Sequence, residues 1–341
     1  MTRPHAILRA GFPYLKTIGM RRVVDQPVDI VVTADLRVFV LCRNEGLDTG
    51  VAKIARLSWD DEYLGDIGSL GSGESQFTWP AAMLLDADQN LVISDEALHR
   101  ITTITQDGEH VRHWGEHGHN EGQLDHPSGI AFDPKGNLYV VDTMNHRIQK
   151  FTTDGRFISA WGSHGNGPGQ FNMPWGIHVD ELGDVYVADW RNDRVQKFTA
   201  DGEFVLEFGR SGTGSGEFRR PSGIAVDSDG DIYVADTGNN RVQLFAPDGR
   251  YVEQFIGDAS LSPSGRKYLL ANARPLRLRT MTSVEPQKRL RSPRSVRVDN
   301  EGRMFIPDYA SFRIQIYQKD TIPLDETQIA EPLRSPTLQV T

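Results

Sequence analysis

The sequence predicts an all-β fold made of repeated four-stranded antiparallel sheets, and two observations support this prediction. One sequence unit occurs three times, beginning at Pro127, Pro174 and Pro221, so that the period is 47 residues. Each copy contains four short runs in which apolar and polar residues alternate, and turn sequences such as Asp-Pro-Lys-Gly-Asn separate them. Because one such sheet cannot bury both of its faces, the copies are expected to stack around an axis as the blades of a β-propeller.

The same frame recurs less clearly outside these three copies, and the count reaches six blades. Weaker units begin at Pro27 and Pro80, and a last unit begins at Pro293 but lacks a fourth strand. The segment 12–19, FPYLKTIG, matches the fourth-strand pattern and precedes the first unit. We therefore predict that this N-terminal strand completes the last blade, which removes an exposed sheet edge and joins the two ends of the chain.

The predicted organisation is one propeller, residues 1–318, followed by a C-terminal tail, residues 319–341. The tail is polar and contains three prolines, so it cannot extend the blade pattern. Within the propeller, the connection that precedes Pro293 is about 25 residues longer than its equivalents, and loops this long are uncommon without a role. This insertion, residues 258–291, is rich in Arg and Lys. We predict a basic docking arm for an anionic ligand or acidic partner; the alternative is a solvated basic loop that offsets the acidic remainder.

Short motifs in the three clear copies resemble those of NHL repeats. They are Pro-x-Gly-Ile-x-[Val/Phe]-Asp, then Tyr-Val-x-Asp, then Asn-x-Arg-[Ile/Val]-Gln. The resemblance extends over about residues 12–317, is strong in the three central blades and looser in the others. It implies a six-bladed propeller of the NHL type. It implies no single activity, because this scaffold serves binding modules, lyases and hydrolases alike.

Composition limits the compartment and the partners. The formal net charge of −9 argues against a general nucleic-acid surface, although a local basic patch remains compatible with it. Cys42 is the only cysteine, so no internal disulfide can form. The chain has no apolar run long enough to span a membrane, and its first residues do not have the pattern of a signal peptide. We therefore expect a cytoplasmic protein without a membrane partner.

Comparison of the blades with one another separates structural from functional residues. An Asp that ends the second strand and an Arg that begins the third recur in five blades, so we expect a structural Asp–Arg hydrogen bond in each. The members are Asp95, Asp142, Asp189, Asp236 and Asp308, with Arg100, Arg147, Arg194, Arg241 and Arg313. Residues that break the repeat are better candidates for function, especially on the face that carries the longer, variable connections.

Several residues break the repeat on that face, near the predicted mouth of the central channel. Trp175 and Arg294 directly follow blade prolines where other blades have small residues, although inter-blade packing is an equal explanation for the tryptophan. Trp190, Arg191 and Tyr309 follow blade aspartates. Arg43 follows Cys42, which replaces a blade aspartate and is expected to be a buried, inert thiol. The ligand-binding candidates are Arg43, Trp175, Trp190, Arg191, Arg294 and Tyr309, with Arg277 and Arg279 from the insertion.

Histidines offer a second kind of site. Several crowd into RHWGEHGHNEGQLDHP, and zinc accepts imidazole ligands. However, the slot of His117 is filled by His164 and Ser211 in the next blades, so it tolerates histidine without requiring it. His178 replaces a blade alanine and is expected to be a satisfied buried group, as is Arg297 in the same slot. We do not expect a divalent metal; if one binds, its candidate ligands are His117, His119, His126 and His178.

The resemblance to NHL propellers also includes the peptidyl-hydroxyglycine amidating lyases, which bind zinc through histidines just after the blade prolines. The equivalent slots here contain no histidine, so that site does not carry over.

Three hypotheses about function follow from the sequence. The first is a binding scaffold that docks a protein partner or anionic ligand at the mouth and the basic insertion. The second is a lyase or hydrolase acting on a small anionic metabolite, possibly with a metal, and the third is a single-stranded RNA binder.

Overall fold

Six four-stranded antiparallel sheets form a ring, and the innermost strands of neighbouring sheets contact each other around a central channel. The computed structural model describes residues 7–44, 50–271 and 285–323. The predicted all-β, six-bladed architecture is confirmed. Within the described residues there is no helix long and apolar enough to cross a membrane.

The first half of the chain forms an N-terminal pair of strands and three blades. The strands that precede the blades are β1 (Ile7–Gly11) and β2 (Tyr14–Ile18). Blade one contains β3 (Pro27–Val32), β4 (Val38–Asn44), β5 (Val51–Leu57) and β6 (Tyr63–Ile67), and a short parallel pair follows it, β7 (Ser69–Leu70) and β8 (Gln76–Phe77). Blade two contains β9 (Pro80–Leu85), β10 (Leu91–Asp95), β11 (Arg100–Ile104) and β12 (His110–Trp114). Blade three contains β13 (Pro127–Phe132), β14 (Leu138–Asp142), β15 (Arg147–Phe151) and β16 (Phe157–Trp161).

The second half forms the other three blades, and its described residues include two short α-helices. Blade four contains β17 (Ile177–Val179), β18 (Val185–Asp189), β19 (Arg194–Phe198) and β20 (Phe204–Phe208). Blade five contains β21 (Pro221–Val226), β22 (Ile232–Asp236), β23 (Arg241–Phe245) and β24 (Tyr251–Phe255). Helices α1 (Pro263–Leu270) and α2 (Glu285–Lys288) follow. The last strands are β25 (Arg297–Val298), β26 (Arg303–Asp308), β27 (Arg313–Gln318) and β28 (Asp320–Pro323). Single 3-10 turns lie at Thr143–Asn145, Thr237–Asn239 and Tyr309–Ser311.

The N-terminal strand closes the ring as predicted. Strand β2 is the outermost strand of blade six and pairs antiparallel with β27, so that Tyr14 lies opposite Tyr317 and Ile18 opposite Ile314. Strand β1 pairs with β28 in a separate two-stranded sheet. The first and last described strands are thus joined by backbone hydrogen bonds, and the edge of blade six is covered.

A buried lysine also joins the last blade to its neighbour. Lys319 lies just after β27, and its ammonium contacts the carboxylates of Asp227, Asp229 and Asp231 in blade five at 2.6, 2.8 and 2.9 Å. Burial opposes the charge, but the carboxylates outweigh it and raise the pKa of Lys319. Residue 319 is where we place the start of the tail, and this domain boundary stays a prediction.

The repeated Asp–Arg pair holds the blades together internally. The Arg Nε donates to the Asp Oδ2 in four blades: Asp142–Arg147 at 2.7 Å, Asp189–Arg194 at 3.0 Å, Asp236–Arg241 at 2.8 Å and Asp308–Arg313 at 2.8 Å. In blade two the guanidinium of Arg100 donates to the carbonyl oxygens of Ser72, Gly73 and Gln76, as Arg194 does to equivalent carbonyls, but its Nε has no hydrogen-bond partner. There Asp95 accepts the backbone N–H groups of Thr78 and Trp79. The pair is therefore structural in the four blades where it forms, and the expectation of a fifth pair, Asp95–Arg100, was wrong.

Glycines allow the innermost strands to approach closely. A Cβ added at Gly129 would lie 2.5 Å from the carbonyl oxygen of Trp175, and Gly176 and Gly223 face the backbone of the following blade in the same way. The predicted close packing near the axis is confirmed. Blade one departs from it, because Asp29 occupies this slot.

The described parts of the insertion pack against the first and last blades. Helix α1 begins after Ser262, whose side chain accepts the N–H of Gly265 at 3.0 Å. The backbone N–H of Ser264 donates to Asp61 in the β5–β6 turn at 2.9 Å, and Leu290 is buried beside blade six. Arg277 and Arg279 lie outside the described residues, so their predicted role remains a prediction.

Candidate ligand-binding site at the channel mouth

Three of the predicted site residues line one pocket at the mouth of the channel. Arg43, Trp175 and Arg294 come together there with Val28 and Ala81. Val28, Ala81, Trp175 and Arg294 follow the blade prolines of blades one, two, four and six, and Arg43 lies near the end of strand β4 in blade one. The ring brings these positions to a common centre. The free volume is about 20 Å³ at the mouth and about 30 Å³ deeper in the channel. Each space is large enough for about one water molecule, so a ligand of ordinary size would lie across the mouth.

The guanidinium of Arg294 is available for an anion. It lies over the ring of Tyr309, with 4.5 Å between Cζ and the ring centroid. Its buried Nε has no hydrogen-bond partner, and the side chain makes no ion pair within the described part of the chain. Main-chain bonds hold the residue, because its N–H donates to Pro307 O at 3.3 Å and its carbonyl accepts from Ser222 Oγ at 2.7 Å. A fixed, uncompensated cation beside an aromatic ring is suited to binding a carboxylate or phosphate.

The charge of Arg43 is already compensated. Its guanidinium forms a buried ion pair with Glu96 and lies 5.1 Å from the ring of Trp79. Burial raises the pKa of Glu96, and Arg43 opposes that rise. Sequence comparison did not find Glu96 because it lies in a different blade, 53 residues from Arg43. Arg43 therefore shapes the mouth more than it attracts an anion.

The thiol beside Arg43 is not a nucleophile. Cys42 is fully buried, and burial raises its pKa to about 12. Its Sγ donates to the carbonyl oxygen of Val40 at 3.5 Å. The thiolate required for attack is absent at neutral pH, in agreement with the expected inert role.

An aromatic and cationic cluster forms one side of the mouth. The rings of Trp175 and Trp190 are 5.9 Å apart between centroids and inclined at 38°. The guanidinium of Arg191 lies 5.6 Å from the Trp190 ring, and that of Arg220 lies 4.3 Å from it. Arg220 was missed because the repeat comparison considered the residue after each blade proline and not the residue before it. Trp175 is half-buried, so its ring both packs on Trp190 and faces the mouth.

Below the mouth, one ion pair crosses the channel. Arg297 of blade six donates to both carboxylate oxygens of Asp29 in blade one, with 2.9 Å between Nε and Oδ1, and it also contacts Met83 O at 3.3 Å. Asp29 further accepts from Ser295 Oγ at 2.8 Å. Burial opposes the charge of Arg297, but Asp29 outweighs it and raises the pKa of Arg297. Asp29 was missed, although its place in the glycine slot of the repeat would have revealed it.

His178 lies apart from the other candidate metal ligands. Burial, and then the positive charge of Arg297, lower the pKa of His178 from 6.5 to about 3. The imidazole is therefore neutral at physiological pH. It is not among the groups of potential metal ligands found in the described residues.

The shifted pKa predicts an acid dependence of stability. The unfolded chain binds a proton at His178 below about pH 6.5 and the folded chain does not, so stability is complete above that pH and falls as the pH drops towards about 3. Replacing His178 by Ala, the residue of the slot in blades three and five, should make the protein more stable than the wild type by about 2 kcal/mol near about pH 4.5. Urea denaturation at several pH values measures this. The control His164→Ser removes an exposed histidine and should retain the acid dependence; an unchanged slope in His178→Ala would contradict the assignment.

The remaining candidate histidines lie between blades two and three, on the loop-rich face that also carries the channel mouth. His117 and His126 both face Asp125, and His119 Nδ1 lies 2.6 Å from Asn145 Oδ1. His99, which sequence reasoning missed, joins them. Ligand atoms of His99, His117 and Asp125 all lie within 4.8 Å of one another.

Comparison with known proteins identifies the repeat. The NHL repeat model matches residues 124–151, 171–198 and 218–245, which cover the first three strands of blades three, four and five. The chain thus contains three NHL repeats within a six-bladed propeller fold, and the resemblance read from its motifs is confirmed. This architecture supports a binding or scaffold role in general. No curated protein sequence matches the chain.

Solved structures share the fold. A catalytically inactive virginiamycin B lyase from Staphylococcus aureus with quinupristin has 14% identity and a TM-score of 0.56, covering 90% of this chain and 99% of that chain. A streptogramin B lyase has 13% identity and a TM-score of 0.56, with 90% and 98% covered. A protein of unknown function from Bacteroides thetaiotaomicron has 19% identity and a TM-score of 0.59, with 91% and 72% covered. At these identities the similarity shows the fold alone.

Proposed function

We propose that this protein is a binding propeller that recognises an anionic group at the mouth of its central channel. The observation that supports this most directly is Arg294, a cation held in place at the mouth without a carboxylate partner among the described residues. Tyr309 and Trp175 provide aromatic surface beside it. The anionic group would be a small carboxylate or phosphate, or an acidic side chain of a protein partner.

Charge at the rim supports the same ligand class. Arg191 and Arg220 are exposed beside Trp190, and neither side chain forms an ion pair with a described carboxylate. The mouth is therefore locally positive although the whole chain carries a formal charge of −9. Such a patch raises the local concentration of anions and accelerates their association. The basic insertion, residues 258–291, would add to this field.

The ligand is expected to combine charge with an apolar or aromatic face. Arg294 would donate to the anion, while the indole rings of Trp175 and Trp190 would pack on the rest of the ligand. The channel below is too narrow to take the ligand, so binding is at the surface of the mouth and readily reversible. This geometry favours a binding role over catalysis, because neither Cys42 nor His178 offers a reactive group to a ligand placed there.

Phenyl phosphate is a probe that carries both features, and phenol is its uncharged control. We expect calorimetric titration of the wild-type chain to show saturable binding of phenyl phosphate, with phenol at least about tenfold weaker. Arg294→Ala should weaken the binding of phenyl phosphate by about 10- to 100-fold, because a hydrogen bond to a charged group contributes about 1.5–3 kcal/mol. Arg294→Lys should recover only part of this, since it keeps the charge but loses the planar donor pair.

The matched control is Arg156→Ala, which removes an exposed arginine from the β15–β16 turn on the opposite face and should leave binding unchanged. Absence of binding to the wild type, or equal binding by Arg294→Ala, would overturn the proposal. Release of inorganic phosphate during the titration would instead favour the hydrolase alternative. Competition by single-stranded RNA that falls steeply with salt would favour the RNA alternative.

A further inference from the structure

Three imidazoles converge on one carboxylate oxygen at the junction of blades two and three. Oδ1 of Asp125 lies 2.7 Å from His126 Nδ1, 3.5 Å from His117 Nε2 and 3.6 Å from His99 Nδ1. The rings of His99 and His117 lie 4.2 Å apart between centroids and are inclined at 42°. Such a concentration of nitrogen and oxygen donors is the donor set that zinc and related transition metals prefer.

Two of the three separations between ligand atoms match those of a tetrahedral zinc site. With zinc–ligand bonds of about 2.0–2.2 Å, the edges of the coordination tetrahedron are about 3.4 Å long. The separations of 3.5 and 3.6 Å between Asp125 Oδ1 and the nitrogens of His117 and His99 are close to that edge. Small side-chain rotations would therefore be enough to place these atoms around a common ion.

The scaffold holds two of the ligands in place. His99 occupies a left-handed corner with φ of 50°, and its Nδ1 accepts the backbone N–H of His126 at 3.2 Å. The backbone N–H of Asp125 donates to the buried carboxylate of Asp142 at 2.6 Å. The ion would take over the Nδ1 lone pair of His99 from that long hydrogen bond.

The other blades lack the full set, although they use the same slots. At the next junction the rings of His146 and His164 lie 4.6 Å apart between centroids, but Asn172 takes the place of Asp125. At the junction after that, the three slots hold Asp193, Ser211 and Arg219. A structural requirement of the blade would recur, so the combination of two histidines with a carboxylate at a single junction indicates a specific role.

We propose that His99, His117 and Asp125 form a zinc-binding site on the loop-rich face. His126 donates from Nδ1 to Asp125 and orients that carboxylate from outside the ligand set. The side chain of His117 is 60% exposed, so the site is open to solvent, and water would complete the coordination. The site is separate from the anion-binding mouth and does not depend on the function proposed for Arg294.

The repeats themselves supply substitutions that the fold accepts. Asp125→Asn, His117→Ser and His99→Asn each introduce the residue that stands in the same slot of a later blade, namely Asn172, Ser211 and Asn240. Asn240 preserves the cap, because its Oδ1 accepts the N–H of Ser292 at 2.8 Å as His99 does for His126. Control variants are the same changes at the next junction, His146→Asn and His164→Ser.

The test is a calorimetric titration of ZnCl₂ into the full-length chain, prepared without an affinity tag of histidines and freed of metal with EDTA. We expect one zinc ion per wild-type chain, and visible d–d absorption of a four-coordinate ion when Co²⁺ is used instead. Each of the three site variants should lose more than about 100-fold in zinc affinity, because loss of even an outer-shell partner costs about 10- to 100-fold. The two control variants should bind as the wild type does.

Failure of the wild type to bind stoichiometric zinc would overturn the proposal. So would zinc affinity that survives the three site variants, or that is lost in His164→Ser, because the ion would then belong to other histidines. Circular dichroism and thermal unfolding of each metal-free variant distinguish loss of a ligand from loss of the fold.

Discussion

Replacing Asp29 by Ala is expected to lower the free energy of unfolding by about 3–5 kcal/mol, because it leaves the guanidinium of Arg297 in the channel without its counter-charge. Asp29 is 1% exposed and accepts from Arg297, from Ser295 Oγ and from the backbone N–H of Met83 at 2.9 Å. These donors come from blades six and two, so one carboxylate in blade one connects three blades across the point where the ring closes. Urea denaturation followed by intrinsic fluorescence measures the loss.

A double-mutant cycle isolates the ion pair from the general cost of substitution. Asp29→Gly combined with Arg297→Ala restores the residues that other blades have in these slots, as at Gly129 and Ala131. We expect this double variant to be about 2 kcal/mol more stable than the sum of the effects of the single changes Asp29→Gly and Arg297→Ala predicts. Asp35→Ala, an exposed aspartate in the adjacent β3–β4 turn, should leave the denaturation midpoint unchanged. Additive effects in the cycle would show that the two residues act independently and would contradict the role given to the pair.

Replacing Asp236 by Ala is expected to cost a similar amount, about 3–5 kcal/mol, for a different reason. The carboxylate is fully buried in blade five and accepts four hydrogen bonds: from the N–H of Arg219 at 2.7 Å, Asn239 at 2.9 Å, Arg241 at 2.8 Å and Gln243 at 3.0 Å. Its removal leaves these donors, one of them charged, without their shared acceptor. The network joins three segments of the blade, so its loss should lower the midpoint of the whole unfolding transition.

Two variants of the same blade test this network. Asp236→Asn keeps the shape but loses the charge and part of the accepting capacity, and it should be less destabilising than Asp236→Ala. Asp248→Ala removes an exposed turn residue, whose carboxylate accepts only the N–H of Arg250 among the described bonds, and should be nearly neutral. An Asp236→Ala protein as stable as Asp248→Ala would mean that the repeated aspartates do not stabilise the blades.

The network at Asp236 was foreseeable from the sequence, because it is local. Asp236 and Arg241 are five residues apart on adjacent strands, and the two-residue period of a strand places them in register. The same reasoning failed at Asp95 and Arg100. There the guanidinium of Arg100 contacts the carbonyl oxygens of Ser72, Gly73 and Gln76, as Arg194 contacts the equivalent carbonyls in blade four, but its Nε has no hydrogen-bond partner. Asp95 instead accepts the backbone N–H groups of the loops on either side of it, including Thr78 and Leu98.

Part of the candidate site was also foreseeable. Residues that break a repeat at one slot must lie at equivalent places around the ring, so Trp175 and Arg294 were expected at a common mouth, and both line one pocket. Whether each arginine has a carboxylate partner could not be predicted from the sequence. Arg43 is neutralised by Glu96 while Arg294 has no such partner, and nothing in the repeat pattern distinguishes the two arginines.

The sequence predicts the number of blades, the closing strand and the face that carries the variable loops. It can do so because repeat spacing and residue alternation are short-range properties, and each blade repeats them. The pairing of Asp29 with Arg297, 268 residues apart, and the meeting of His99 with His117 and Asp125 depend on how neighbouring blades rotate against each other. That rotation is set by the packing of the whole ring. Contacts across blade junctions, and with them the charges left available for a ligand, were therefore decided by the tertiary structure alone.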